Sequence, residues 1–352
     1  MNTVVTQKLG IRHPIIQGPF GGGLSTVELA ATVSNAGGMG SYGAHLLTPG
    51  EIEDVAAGIR ARTAGPFALN LWVDSLDARA RDAKPEDFER AADELKPVFE
   101  CRGIAPPSFM PPEMIDFGRQ MEAILRARPP VFSFVFGIPD GQMLSECRQH
   151  GIRTIGAATT LDEAQALEAA GVDFVLATGF EAGGHRPSFL RPAEDSLHGT
   201  LALVRQMVTA VKIPVIAAGG IADAAGVAAA LKLDAGAVQV GTAFLACEES
   251  GAPPLHKEFL FSPSARRTRL SNCVSGRLAR FVVTPALEEL EQLSRTHLGY
   301  PLQSALTRPL KLANAGGDKV RDGLFYAGQG APLLRHRKAT ELIAELLKEI
   351  VR

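Results

Sequence analysis

The sequence predicts an α/β fold, a closed (β/α)8 barrel that carries a mostly helical appended segment. Three observations lead there. From Pro14 onward short apolar runs alternate with longer Ala/Leu/Glu stretches, the apolar runs number eight, and each is apolar nearly throughout rather than alternating. Parallel strands covered on both faces read this way. Eight βα units in one run favour a closed barrel over an open doubly wound sheet.

The strands are expected at 14–20, 39–42, 66–73, 131–136, 154–157, 174–177, 214–218 and 237–242. Helices lie between them, such as 25–35, with Ser25 as a cap and Glu28 three residues on, and 161–170, opened by Thr160. Two stretches break the rhythm. Residues 74–128, rich in Pro and charge, are too long for a simple connection and read as a helical insertion. Residues 275–330 carry scattered Arg, Pro and Gly and precede an amphipathic helix at 336–350. The expected organisation is a barrel core over 1–247, including the insertion, then a mostly helical appendage over 248–352 that ends in the final barrel helix.

A chain of 352 residues with 46% hydrophobic and 21% charged residues has ample material for a large core, which excludes wholesale disorder. Thirty-six Lys+Arg against 38 Asp+Glu leave no global basic field for nucleic acid or an anionic membrane. The start, MNTVVTQKLG, lacks a charged region followed by an apolar stretch, so a cytoplasmic location is expected. Cys101, Cys147, Cys247 and Cys273 are too widely spaced for a zinc knuckle or a redox pair and read as reduced thiols.

Barrel chemistry lies where strands end and loops begin. The sixth strand runs into Thr178-Gly179-Phe180-Glu181-Ala182-Gly183-Gly184-His185, the seventh into Gly219-Gly220, and the eighth through Gln239-Val240-Gly241-Thr242. Glycine there removes the side chain that would keep a ligand from the backbone amides. The loops after strands seven and eight are common phosphate sites in barrels, so a phosphate-bearing cofactor is the expected ligand. His185, just beyond a glycine pair, is the candidate for proton transfer or for holding an anion. His13, His45 and His198 have no comparable setting. Asn70, an amide inside an apolar strand, must find partners and reads as a hydrogen-bonding group toward a ligand ring. Gln17, followed by Gly18, and Gln239 interrupt their strands likewise. Arg186 reads as an exposed loop arginine. Gly38-Met39-Gly40-Ser41-Tyr42-Gly43 spells a dinucleotide fingerprint but follows a helix and reads as a strand, so it is set aside. Phosphate-loop, His-Glu-x-x-His and Gly-x-Ser-x-Gly motifs are missing from the sequence.

The segments Ser34-Asn35-Ala36-Gly37-Gly38-Met39-Gly40, Glu181-Ala182-Gly183-Gly184-His185, Pro214-Val215-Ile216-Ala217-Ala218-Gly219-Gly220-Ile221 and Gln239-Val240-Gly241-Thr242-Ala243-Phe244 together resemble the nitronate monooxygenase family of FMN-dependent barrel enzymes. The likeness covers most of 10–247 and continues more weakly through Tyr300-Pro301-Leu302-Gln303 and Tyr326-Ala327-Gly328-Gln329-Gly330. It implies FMN contacts from Asn70, Gly183, Gly220 and residues 239–242, with His185 as the catalytic histidine. Thr178, Gly184, Gly219, Gln17 and Gly18 complete the expected cofactor-binding set. The chain departs from the family at Thr178, where Gln is usual, and at Gly18-Pro19-Phe20-Gly21-Gly22-Gly23, where a Pro-Met-Ala type segment is common. The implied activity is oxidation of a small alkyl nitronate, an anion, or of the nitroalkane itself, with O2 to a carbonyl compound and nitrite. The alternatives are an NAD(P)H-dependent flavin enoyl-acyl-carrier-protein reductase and a barrel that binds a phosphorylated ligand without redox chemistry. Self-association is left open.

Overall fold

The computed structural model describes residues 2–313 and 323–350, so residues 314–322 and 351–352 of the expected appendage lie outside the described part. Its strands in chain order begin with β1 (Ile15–Gln17), β2 (Gly40–Gly43), β3 (Phe67–Trp72), β4 (Val131–Val135), β5 (Arg153–Ala158) and β6 (Phe174–Thr178). A two-residue strand, β7 (Gly184–His185), precedes β8 (Val215–Ala218) and β9 (Ala237–Val240). All but β7 form one parallel sheet in the order β1-β9-β8-β6-β5-β4-β3-β2. The ring closes where β1 meets the approach to β2. The Gln17 amide donates to Met39 O (2.9 Å) and the Met39 amide to Ile15 O (3.0 Å).

Although the strands read as continuously apolar, the closed ring sorts their residues by parity. Ile16, Ala68, Phe174, Leu176, Ile216 and Ala237 join one cluster, floored by Val5 and Leu9 of the helix Val4–Leu9. Their neighbours Ile15, Leu69, Val175, Ala177, Ala217 and Val238 join another, packed by the surrounding helices. Asn70, Thr178 and Gln239 therefore have the inward parity at the carboxyl ends of β3, β6 and β9, whereas Gln17 and Val240 have the outward one.

The two segments that break the rhythm are each other's partners. Phe88, Leu95 and Phe99 of the insertion pack with Phe281, Leu287, Leu290, Leu302 and Leu306 of the appendage in a separate core. The appendage also contains a hairpin that sequence reasoning missed, β10 (Thr268–Ser271) and β11 (Ala279–Val282). Its second strand pairs antiparallel with β7, setting His185 opposite Ala279 and Gly184 opposite Arg280. The final helix, Ala339–Leu346, packs on Val27–Asn35 as barrel helices do. Thr26, rather than Ser25, caps Val27–Asn35 by accepting from the Leu29 amide (2.9 Å). Ser25 instead accepts from the Phe20 amide (2.9 Å). The four cysteines are free, three of them buried. No helix among the described residues is long and apolar enough to cross a membrane.

The Gln17 side chain belongs to the barrel closure. It is fully buried, its Oε1 accepts from the Ser41 amide (2.8 Å), and its Nε2 donates to Gly18 O. Replacing it by Leu leaves the Ser41 amide without this acceptor. Gln17→Leu is expected to lose about 1–3 kcal/mol of stability, seen as a lower midpoint in chemical denaturation. An unchanged midpoint would contradict this assignment.

Candidate active site

The glycine loops predicted at three strand ends do converge. Gly219 and Gly220 hold φ of +119° and +71°, conformations that side chains with a Cβ rarely adopt. A Cβ on Gly220 would meet Glu181 at 3.2 Å, and one on Gly183 would meet Thr242 Oγ1 at 3.1 Å and Gly328 N at 2.5 Å. The loops after β6, β8 and β9 thus share one small volume with the strap 326–330. The Gly328 amide donates to Thr242 Oγ1 (2.8 Å) and the Gln329 amide to Glu181 O (2.9 Å). Gly18 belongs to the same corner, since its Cβ would lie 3.2 Å from Gly241 Cα.

This cradle fits the phosphate end of a flavin. A Cβ on Gly241 would meet nothing nearer than Phe20 at 4.0 Å, so room remains in front of it. The first amides of the turn Thr242–Leu245 have no carbonyl four residues back to bind. Glu181 turns its carboxylate away to cap the helix Thr200–Ala210, accepting from the Thr200 amide (3.0 Å) and hydroxyl (2.8 Å). Asn70 Nδ2 donates to Ser133 Oγ (3.0 Å), and no protein donor among the described residues reaches its Oδ1. Thr178 and Gln239 stand at the same rim by parity, whereas the Val240 side chain is buried in the outer core and offers only backbone.

His185 projects from β7 into a chamber of rings. Trp72 lies 5.1 Å from it edge-on, Tyr326 at 5.6 Å, Phe136 at 6.4 Å and Tyr300 at 6.5 Å. Its Nε2 is 2.9 Å from Ser275 Oγ, and Ser275 Oγ donates to Arg277 O (3.1 Å). A hydroxyl has one proton, so with that proton on Arg277 O the imidazole carries its hydrogen on Nε2 and keeps Nδ1 as acceptor. Burial, then the positive charges of Lys311 and Arg277, lower its pKa to about 3. The imidazole is therefore neutral at neutral pH. Arg277 spreads over Phe136 (4.2 Å), Tyr300 (5.2 Å) and Trp72 (5.6 Å), and is held by Asp77 through Nε (2.8 Å) and Nη2 (2.7 Å). Lys311 forms no ion pair with any described carboxylate, and burial lowers its pKa to about 8.

Two expectations are corrected. Arg186 is not exposed but only 1% accessible, and it donates to Thr178 O (2.9 Å), Gly179 O (2.7 Å) and Ser196 O (3.0 Å). Carbonyls stranded at the end of β6 require such a donor. His45 is not isolated but stacks flat on Trp72 at 4.0 Å, and Gly21 makes room for it, because a Cβ there would collide with its ring. The departure at 18–23 thus has a packing reason. Sequence reasoning also missed Trp72, Phe136, Ser275, Arg277, Tyr300, Lys311 and Tyr326. Trp72 was within reach, since it follows Asn70 by two along β3 and shares its face.

A model of the nitronate monooxygenase family matches residues 2–349. A nitronate monooxygenase of Paraburkholderia phytofirmans is 38% identical, covering 97% of this chain and 93% of that protein. A probable nitronate monooxygenase of Staphylococcus saprophyticus is 36% identical, covering 99% and 98%. Among solved structures, nitroalkane oxidase from Streptomyces ansochromogenes matches with a TM-score of 0.89 at 36% identity, covering 99% of this chain and 97% of that one. FabK from Thermotoga maritima matches with a TM-score of 0.76 at 29% identity, covering 100% and 96%.

Burial holds His45 and His185 near pKa 3 and His256 near 4. In the unfolded chain each returns to about 6.5. Between pH 6.5 and 5 the unfolded state binds protons that the folded state refuses, so stability falls as pH falls. Chemical denaturation at pH 7 and pH 5 is expected to give the lower midpoint at pH 5. Equal midpoints would contradict the neutral burial of these rings.

Proposed function

The chain belongs to the nitronate monooxygenase family and is a flavin-dependent oxidoreductase acting on a small molecule, and on that premise we propose that it uses FMN and O2 to oxidise a small alkyl nitronate to a carbonyl compound and nitrite. One observation carries this reading, the neutral imidazole of His185 in a ring-lined chamber two residues beyond Gly183. When bound, FMN supplies the electron-accepting ring and its chemistry with O2. Gly183, Gly219, Gly220, Gly241 and Thr242 would hold its phosphate, while Asn70, Thr178 and Gln239 would face its ring from the strand ends.

The protein's own contribution is electrostatic and positional. Lys311 and Arg277 disfavour a third positive charge on His185, and the same field draws in an anion. The rings line the chamber with apolar surface, so the field is less screened there than in open water. A nitronate arrives with its α-proton already gone and needs no base. If the Ser275 hydroxyl turns its proton to Nε2, the imidazole hydrogen moves to Nδ1 and donates to a nitronate oxygen. A neutral nitroalkane would instead have to yield its proton to a ring whose pKa lies near 3, a weak base for that step. Nitronates are therefore the preferred form.

At pH 7 the flavin-loaded protein is expected to consume O2 and release nitrite with propyl-2-nitronate, at much higher kcat/KM than with 2-nitropropane. Flavin that is bleached by NADPH and indifferent to the nitronate would contradict this reading. His185→Asn, with flavin retained, is expected to lower kcat/KM for the nitronate by about 10²-fold or more. An unchanged value would remove His185 from the chemistry.

A further inference from the structure

On the outer side of the strap 326–330 lies a second cleft, of about 400 Å³, lined by Arg266, Arg267, Thr268, Arg269, Val283 and Gln329. Three arginines converge on it. Arg266 has no carboxylate within ion-pairing distance among the described residues. Arg267 and Arg269 share Glu288 at 3.4 and 3.6 Å, long and exposed pairs of little strength, and Arg269 also meets Glu291. Such pairs give way readily to a stronger anion. Guanidinium groups are suited to phosphate oxygens through paired N–H donors, and the Thr268 hydroxyl and Gln329 add neutral polar groups.

The cleft is joined to the candidate active site by short links. Gln329 donates through its amide to Glu181 O, Thr268 Oγ1 accepts from Arg280 Nη1 (3.1 Å), and Arg280 donates through Nη2 to Phe180 O (2.7 Å). Residues 180 and 181 lead directly into Gly183. The cleft floor therefore backs onto the loop that shapes the cradle, while Arg266 and Arg267 remain open to solvent. The volume is within the range of small-ligand sites, but the lining is charged where a site for an apolar ligand would be greasy.

We propose that this cleft binds the phosphate group of a small organic phosphate, distinct from the flavin, with Arg266 and Arg267 as its principal anchors. A nucleotide phosphate and a phosphopantetheine share this chemistry. The proposal is independent of the nitronate reading, because its test involves no turnover.

The experiment is calorimetric titration of flavin-saturated protein with pyrophosphate, 2′,5′-ADP and coenzyme A at two salt concentrations. Saturable binding is expected, tighter for at least one organic phosphate than for pyrophosphate and weaker at the higher salt. The double variant Arg266→Ala/Arg267→Ala, retaining flavin and the wild-type circular dichroism spectrum, should bind at least 10-fold more weakly. Preference for 2′,5′-ADP identifies a nucleotide, and preference for coenzyme A identifies a phosphopantetheine carrier. No saturable binding, no gain from the organic group over pyrophosphate, or equal affinity in the double variant would overturn the proposal.

Discussion

The site depends on the pairing of two residues. The loop after β6 is pinned at Phe180 by Arg280 and at Glu181 by Gln329, and its end is fixed because Gly184 and His185 are taken up as a strand against Arg280 and Ala279. That pairing fixes the direction of the imidazole, and it brings in Ser275 and Arg277 from the turn before β11. The hairpin is in turn seated on the core shared by the insertion and the appendage. The barrel supplies the cradle, but the segments outside the barrel complete the chamber.

Charge follows from that arrangement. Arg277, tied to Asp77 and laid over three rings, and Lys311, which meets no carboxylate among the described residues, add positive charge around an imidazole whose burial already disfavours protonation. Fixed positive charge in a ring-lined volume adds to burial in keeping His185 neutral, and it makes the chamber hospitable to an anion. The rings and the charges act together, because open water would screen the field.

Much of this was legible in the chain. The eight strands follow from short apolar runs between helical stretches, and the three glycine loops from their addresses at strand ends, whereas strands apolar nearly throughout carry no alternation to show that Asn70, Thr178 and Gln239 face inward. The partners of His185 were not legible. Ser275, Tyr300 and Tyr326 lie 90 or more positions further along, and Ser275 is brought in by a hairpin whose strands, Thr268–Ser271 and Ala279–Val282, are four residues each and carry no clear alternation. Arg186 was misread for a related reason: a guanidinium next to a strand end is buried when the carbonyls there lack other donors, and sequence alone does not reveal which carbonyls these are. Gln17 looked like a ligand contact because a buried amide needs partners. It has them, across the seam that closes the barrel.

The central claim is that His185 is held neutral by burial and by neighbouring positive charge. Nuclear magnetic resonance of histidine-labelled, flavin-loaded protein, with the His185 signal assigned through His185→Asn, tests it most directly. The account predicts a ring that shows no protonation on acidification from pH 8 to pH 5. A titration midpoint between 6 and 7 would contradict it.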